Sequence, residues 1–525
     1  MSAVPTSSPS QSAPDPGPAP GATASTQVSD TSDSAAAGNR QLVKNTFFLT
    51  AAQAVTIPIS VVSNALIGRY LGPEEFGYLY LATTVCAFAI LGLEWGLQGA
   101  TPALVARDKS KAGTFLGTGL VWRGMSSLVV SGLLALVCWL LGYNEGARWA
   151  VALSFPLAVL NSVAAGFKDT IRGFERTDIP AYAHVAQQFM MVVVLVPVLM
   201  LGGALKALLI SQIIVAMLTV YYLKRSLRQV GVSSLSYERG ALKALLGLGT
   251  PFVVFGLAMV LGPFINGAFL AKLVPPEVIG WYGVSQRLIG LLIFPATSIV
   301  NALYPTLCRL HTENKDEFVR VTRGALYGVA LIAIPATVGC GMFPEVGVSI
   351  FGAEEFAGAN DHLRLMSLFV FLVYFSMPLG TATLAADRQK AWTVVQCICL
   401  VVSVAGNPFL VPYFQRTMGN GAMGTCLTLV LSELLVVVCG IALAPRGLFD
   451  RGLGKSLAMG FVAGGAMLAV AWFTKPISIF LAVPASVIAY VLVAWFGGAV
   501  QPATVDMLKG TVGRRLARFR RAPSS

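Results

Sequence analysis

Apolar stretches of about 18 residues or more recur along this chain from Thr46 to Gly498, each long enough to cross roughly 30 Å of hydrocarbon as a helix. That recurrence leaves little choice of fold. Only 12% of the 525 residues are charged and 55% are hydrophobic, with a mean hydropathy of +0.72, against roughly 25% charged for a soluble domain. A soluble globule is excluded, and the chain reads as an all-α polytopic membrane protein. Gly, Pro and charge punctuation divides the runs into fourteen transmembrane helices near 46–71, 76–100, 113–141, 147–167, 180–202, 204–223, 244–273, 278–307, 322–350, 362–386, 391–413, 418–444, 454–474 and 476–498.

An even number of spans puts both termini on one side, and the positive-inside rule says which. Of the 37 Lys and Arg, 28 fall in the termini and alternate connections, and 7 on the opposite side; Arg123 and Arg287 lie inside spans. The expected topology is therefore N-in/C-in. The net charge of +13 is then topology information and attraction to anionic membrane lipids, and no nucleic acid is needed to explain it.

Residues 1–38 are mostly Ser, Ala, Pro, Thr and Gly with no Lys or Arg, which predicts a disordered cytoplasmic tail without the features of a cleaved signal. Residues 501–525 form a basic cytoplasmic tail expected to lie on the inner leaflet. The eight cysteines sit almost entirely in apolar runs and the three histidines join them in no ligand spacing, so neither a metal nor a cofactor is expected.

The corner "YLGPEEFGYL" at 70–79 returns as "LVPPEVIGWY" at 273–282, with Pro73, Glu74 and Gly77 matched by Pro276, Glu277 and Gly280 at a constant offset of 203. A second anchor aligns "FERTD" at 174–178 with "ADRQK" at 386–390, at offset 212. The chain thus reads as two pseudo-symmetric six-helix lobes, an N-lobe over 39–228 and a C-lobe over 244–444, joined by a cytoplasmic linker at 229–243. Two further helices fill 445–500. Because six is even, both lobes share one orientation, an arrangement suited to rocking between inward-open and outward-open states. Pro58, Pro251 and Pro263 fall inside the first helix of each lobe, where proline permits a bend. The corner itself reads as structural, with proline and acids at a helix start.

With "NALIGRYLGPEEFGYLYLATTV" at 64–85 after a short basic segment, and "IRGFERTDIPAY" at 171–182 after the fourth helix, the chain resembles the Wzx-type polysaccharide flippases of the multidrug/oligosaccharidyl-lipid/polysaccharide exporter superfamily. The likeness covers about residues 40–500. It implies movement of a polyprenyl-diphosphate-linked oligosaccharide to the outer leaflet of a bacterial inner membrane, by ion-coupled alternating access of a cationic cavity. Association with polysaccharide assembly proteins would follow. No covalent chemistry is implied, and the sequence has no Walker loop, zinc-type histidine pair or Gly-x-Ser-x-Gly elbow.

A charge inside a bilayer costs about 2.5–3.5 kcal/mol on insertion scales, so the few within spans are functional candidates. Arg123 lies about 15 Å into helix 3 from the cytoplasmic side at 1.5 Å per residue, and Arg287 at comparable depth in helix 8 from the other side. A guanidinium facing a watered cavity can hold a diphosphate bidentately, so both are assigned to the substrate, with Asn266 and Gln286 beside Arg287. Glu94 and Glu433 are candidates for coupling H+ or Na+, Glu94 also for pairing with Arg123. Arg69, close to a helix end, is a cation at the outer rim that snorkels to the headgroups. Alternatives within the superfamily are a peptidoglycan-precursor flippase and a drug or metabolite antiporter. A membrane polysaccharide polymerase is disfavoured by the longest outer loop, about eleven residues near Phe351 to Asp361.

Overall fold

The computed structural model describes the backbone of residues 24–498 apart from 233 and 446, and the side chains of 55–498 apart from 233, 254, 255, 258, 259 and 446. Residues 1–23 of the expected tail and the basic tail at 501–525 lie outside the described residues. From Ala24 onward the backbone is helical. Ala35, Ala36 and Ala37 in this stretch carry high helix propensity.

The elements are α1 (Ala24–Glu94), α2 (Leu97–Arg107), α3 (Ala112–Leu140), α4 (Glu145–Gly173), α5 (Asp178–Met200), α6 (Leu205–Leu227), α7 (Arg239–Leu273), α8 (Pro276–Glu313), α9 (Lys315–Met342), α10 (Pro344–Ser349), α11 (Ala359–Ala385), α12 (Gln389–Met418), α13 (Ala422–Leu443), α14 (Arg451–Thr474) and α15 (Ile479–Phe496). Among the described residues twelve helices are long and apolar enough to cross a membrane. The expected count was fourteen. The segment Val55–Arg107 counts once although the chain turns inside it, and α7 contributes only Val260–Leu273, which is short of a span.

The turn inside α1 is at Gly72, whose φ of 72° and ψ of 173° suit a residue without Cβ. Pro73 follows and needs no hydrogen-bond partner for its nitrogen. The two glutamates of this corner do local work. The Glu75 carboxylate accepts from the Leu205 backbone N–H at the start of α6 (2.9 Å), supplying an acceptor that the helix end lacks. Glu74 accepts from the Tyr78 hydroxyl (3.0 Å), which in turn accepts from the Asn144 amide before α4 (2.8 Å).

Helices α1 to α6 pack chiefly on one another, and α8, α9, α11, α12 and α13 do the same, while α7 packs more on α1, α2 and α3 than on α12 and α8. The arm of α1 beyond Gly72 joins the two groups by crossing α8 and α7. A Cβ on Gly77 would lie 2.1 Å from the Pro276 carbonyl oxygen, and one on Gly280 2.0 Å from that of Pro73. The two copies of the repeated corner therefore lean on each other reciprocally, and each glycine is the vacancy that admits the other's backbone. Further along the arm Phe88 stacks on Phe264 with centroids 4.3 Å apart. Where α1 gives way to α2 at Trp95 and Gly96, a Cβ on Gly96 would meet the Gly249 carbonyl oxygen of α7 at 2.0 Å.

The second anchor of the repeat also has matching geometry. Glu175 after α4 and Asp387 after α11 are both left-handed, at φ 63° and 57°, unusual for residues other than glycine. Helix α14 packs on α9 and on α15 through Ile334, Ala463, Met467, Tyr490 and Ala494. Lys475 fastens its end by donating to the Met342 carbonyl (2.6 Å) and pairing with Glu345 (3.2 Å). Large apolar residues such as Trp472, Phe480 and Phe496 are left uncovered, as surfaces that face lipid can be.

Candidate functional site

Two arginines within apolar helices sit in different surroundings. Arg123 of α3 is 1% exposed and enclosed by α1, α3 and α4. Its Nε donates to the Ser162 hydroxyl at 3.0 Å, and the same serine engages Glu94, so the expected partnership of Glu94 with Arg123 runs through a shared hydroxyl. Asp169 of α4 is the second acid in electrostatic range of Arg123, and it forms an ion pair with Arg172 at 3.0 Å. Space for the guanidinium comes from Gly166, where a Cβ would fall 2.8 Å from Arg123 Nη1. Nη2 of Arg123 is buried without a hydrogen-bond partner.

Arg287 of α8 lies on the crossing between the two helical groups. Its guanidinium carbon sits 4.7 Å over the ring of Phe76, a cation–π contact across the repeated corner. Phe76 is held in turn by the edges of Phe351 and Phe356. Nη1 of Arg287 is also buried with no hydrogen-bond partner. Each arginine therefore keeps one donor that the protein does not use, in surroundings where an unmade hydrogen bond costs about 1–3 kcal/mol.

The remaining candidates distribute less evenly. Asn266 is 3% exposed and accepts from the Asn407 amide of α12 (2.8 Å) and from Ser403 (3.4 Å), so its carbonyl is engaged with α12 and not with Arg287. Thr428 of α13 donates to Asn407 (3.2 Å), completing a buried polar knot among α7, α12 and α13. Gln286 reaches the Met366 sulfur at 3.9 Å and, with Asn266, interacts with Tyr282. Glu433 of α13 accepts from the Ser376 hydroxyl of α11. Arg69 is exposed in the turn before Gly72, as a snorkelling residue would be.

Three participants were missed from sequence. Arg172 sits near the end of a helix, where a basic residue reads as topology information, and Asp169 beside it enters no such count. Ser162 is one of many small hydroxyls in apolar spans. The one available signal was spacing, since Ser162, Gly166 and Asp169 fall at i, i+4 and i+7 and share a helical face. Among the described residues no group of three or more His, Cys, Asp or Glu could hold a metal ion.

Residues 66–361 match the family model described as polysaccharide biosynthesis protein, more than half of the chain. The chain belongs to that family. It is similar to the "Probable flippase AglR" of Haloferax volcanii, 23% identical over 449 residues that cover 80% of this chain and 87% of that one. Among solved structures it is similar to the lipid II flippase MurJ in an inward closed conformation, with a TM-score of 0.69 and 11% identity over 87% of this chain and 98% of that one. It is also similar to an inward-facing multidrug resistance MATE family transporter of the MOP superfamily, with a TM-score of 0.63 and 16% identity over 74% of this chain and 94% of that one. All three are named as flippases or transporters and none as an enzyme. This member of the family is a multi-pass membrane protein with the helical fold of those transporters.

Proposed function

We propose that this protein is a flippase that carries a polyprenyl-diphosphate-linked oligosaccharide repeat unit from the cytoplasmic to the outer leaflet of a bacterial inner membrane, for cell-surface polysaccharide synthesis. One observation carries the reading: two guanidinium groups in apolar spans, each with an unused buried donor, in a chain of the polysaccharide biosynthesis family. A diphosphate offers acceptors of the right charge and geometry for such donors. A relative named as a probable flippase, together with membership of the polysaccharide biosynthesis family, supports a lipid-linked glycan as cargo.

The reading includes fourteen spans, obtained by dividing Val55–Arg107 at Gly72 and counting α7 whole. It includes lobes over 39–228 and 244–444, the linker at 229–243 and both termini in the cytoplasm. Reciprocal contact of Gly77 and Gly280 and the matched left-handed Glu175 and Asp387 support a duplicated architecture. Arg287 at the crossing and Arg123 in the first lobe are the phosphate-binding cations, with Gln286 adjacent to Arg287 in sequence. Glu433, which has a hydroxyl partner, and Glu94, which shares Ser162 with Arg123, are the candidates for an H+ or Na+ that drives the cycle.

The test is export of surface polysaccharide in a deletion strain. Arg287→Ala and Arg123→Ala abolish export while the protein stays in the membrane, and lysine at either position leaves partial activity. Full export by both alanine variants would remove the diphosphate site. Accumulation of lipid II instead of a lipid-linked glycan in the deletion strain would transfer the reading to a peptidoglycan-precursor flippase. Indifference of transport to pH gradient, Na+ gradient and Glu433→Gln sinks the ion-driven cycle.

A further inference from the structure

The two copies of the repeated connection after α4 and after α11 share a backbone and differ in charge. In the first, Arg176 is neutralised by a bidentate pair with Asp178, its Nε and Nη2 each 2.9 Å from a carboxylate oxygen. In the second, the position that aligns with Asp178 is Lys390. Arg388, which aligns with Arg176, has no ion pair among the described residues and spends one Nη1 donor on the Leu443 carbonyl at 3.2 Å. Where the first copy closes on itself, the second is open and doubly basic.

The opening leads into a pocket of about 110 Å³ between the ends of α8, α9, α11 and α13 and the start of α12. Its rim carries His311, Lys315 and Arg388, and its floor includes Phe318, Ala382 and Leu443. Of the acids flanking Lys315, Glu313 is drawn to Arg309 (3.9 Å) and Glu317 to Arg320 (3.0 Å), while the exposed Asp316 is in no ion pair among the described residues, so the basic balance of the rim rests on His311 and Arg388 as well as Lys315. Lys315 is exposed and in no ion pair among the described residues. An apolar floor under a cationic rim, at the level where helices leave their apolar spans, has the chemistry of an amphiphile with a phosphate head.

We propose that the pocket bounded by His311, Lys315 and Arg388 is a site for an anionic phospholipid, with the headgroup phosphate on Lys315 and Arg388 and the start of an acyl chain on Phe318 and Leu443. With the topology proposed above the pocket faces the inner leaflet, whereas lipid binding itself does not depend on that topology. The site is separate from Arg123 and Arg287, and its occupant is a resident lipid that braces the ends of α8, α11 and α12 against one another.

Purified full-length protein is titrated with phosphatidylglycerol, phosphatidylcholine and inorganic diphosphate, with retained lipid read by native mass spectrometry and thermal unfolding by tryptophan fluorescence. The wild type retains phosphatidylglycerol in preference to phosphatidylcholine and unfolds at higher temperature when it is bound. Lys315→Gln with Arg388→Gln weakens retention about 30-fold, the worth of two interfacial cations. Lys390→Asp, an exposed change that restores the acid of the first copy, weakens it about tenfold with the fold intact. Arg176→Gln changes nothing. No preference for phosphatidylglycerol in the wild type, or equal retention by the double variant, overturns the site. Displacement by inorganic diphosphate at equal concentration also overturns it, since the site would then read a free phosphate and not a lipid. None of these readouts depends on export, so failure here leaves the transport reading standing, and the reverse.

Discussion

Arg123 and Arg287 both place a permanent charge in an apolar helix, yet their surroundings are nearly opposite. Arg123 is fitted into a pocket built by Gly166, bonded to Ser162 and flanked by Glu94 and Asp169, all within the first group of helices. Arg287 has an aromatic face in place of acids, and that face belongs to α1, across the crossing that joins the groups. The first arginine is a member of a charge cluster, and its removal strands Glu94, since Asp169 keeps Arg172. The second belongs to an interface, and its removal strands nothing charged. A fixed cluster can transmit a protonation event within one half of the molecule, while a cation shared across the crossing can report whether the halves are together.

The largest expected difference comes from removing each in turn. Arg123→Ala leaves Glu94 without its cation, Asp169 keeping its pair with Arg172, and costs about 3–5 kcal/mol, as breaking a buried charge set does. Arg287→Ala loses a cation–π contact worth about 0.5–2 kcal/mol and relieves an unsatisfied donor, so its unfolding temperature stays close to that of the wild type. Thermal unfolding of both variants in one detergent, beside their export, measures this; equal destabilisation would dissolve the contrast. Gly166→Ala sharpens it, because the new methyl lies 2.8 Å from Nη1 and displaces the guanidinium without removing the charge. Export should fall while stability changes less than in Arg123→Ala.

The crossing itself is the next target. Gly280→Ala drives a methyl to within 2.0 Å of a backbone carbonyl that cannot rotate away, an overpacking cost of about 1–3 kcal/mol. Gly290→Ala, ten positions along the same helix with nothing within 4 Å, is the matched control and should be neutral or slightly stabilising. If the two behave alike in thermal unfolding, the corners are not in the close contact described.

The parts of this architecture that were legible in sequence are those written in repeated or periodic form. Apolar runs located the helices, and two offset motifs found the corners that meet at Gly77 and Gly280. What was not legible is partnership across long separations. Asn266 was grouped with Arg287 because their helices adjoin the same corner, but its oxygen is taken by Asn407, which lies 141 residues away in α12. Asp169 was passed over because its position near a helix end says nothing about which way the carboxylate points. The break at Trp95 and Gly96 fell inside a continuous apolar run, and only the approach of α7 at Gly249 gives it a purpose. Hydropathy reports the solvent of a segment and is silent on its neighbours.

The smallest contrast lies within the repeated corner and tests how far the copies have diverged. Glu74 has its counterpart in Glu277, but Glu75 aligns with Val278, which is 2% exposed in the apolar core. Glu75 accepts from the first N–H of α6, and the helix in the second half that corresponds to α6 is α13. There the task has moved. The N–H of Gly421, just before α13, is accepted by the Gln415 side chain at 2.9 Å, from the helix preceding it. Loss of such a cap costs about 0.5–2 kcal/mol, with the charged acceptor toward the upper end. Glu75→Ala should therefore lower the unfolding temperature slightly more than Gln415→Ala, and the double variant should show the sum, because the two caps share no partner. A double variant no worse than either single one would mean that the two helix starts unfold as one unit, and that the halves are less independent than their separate packing implies.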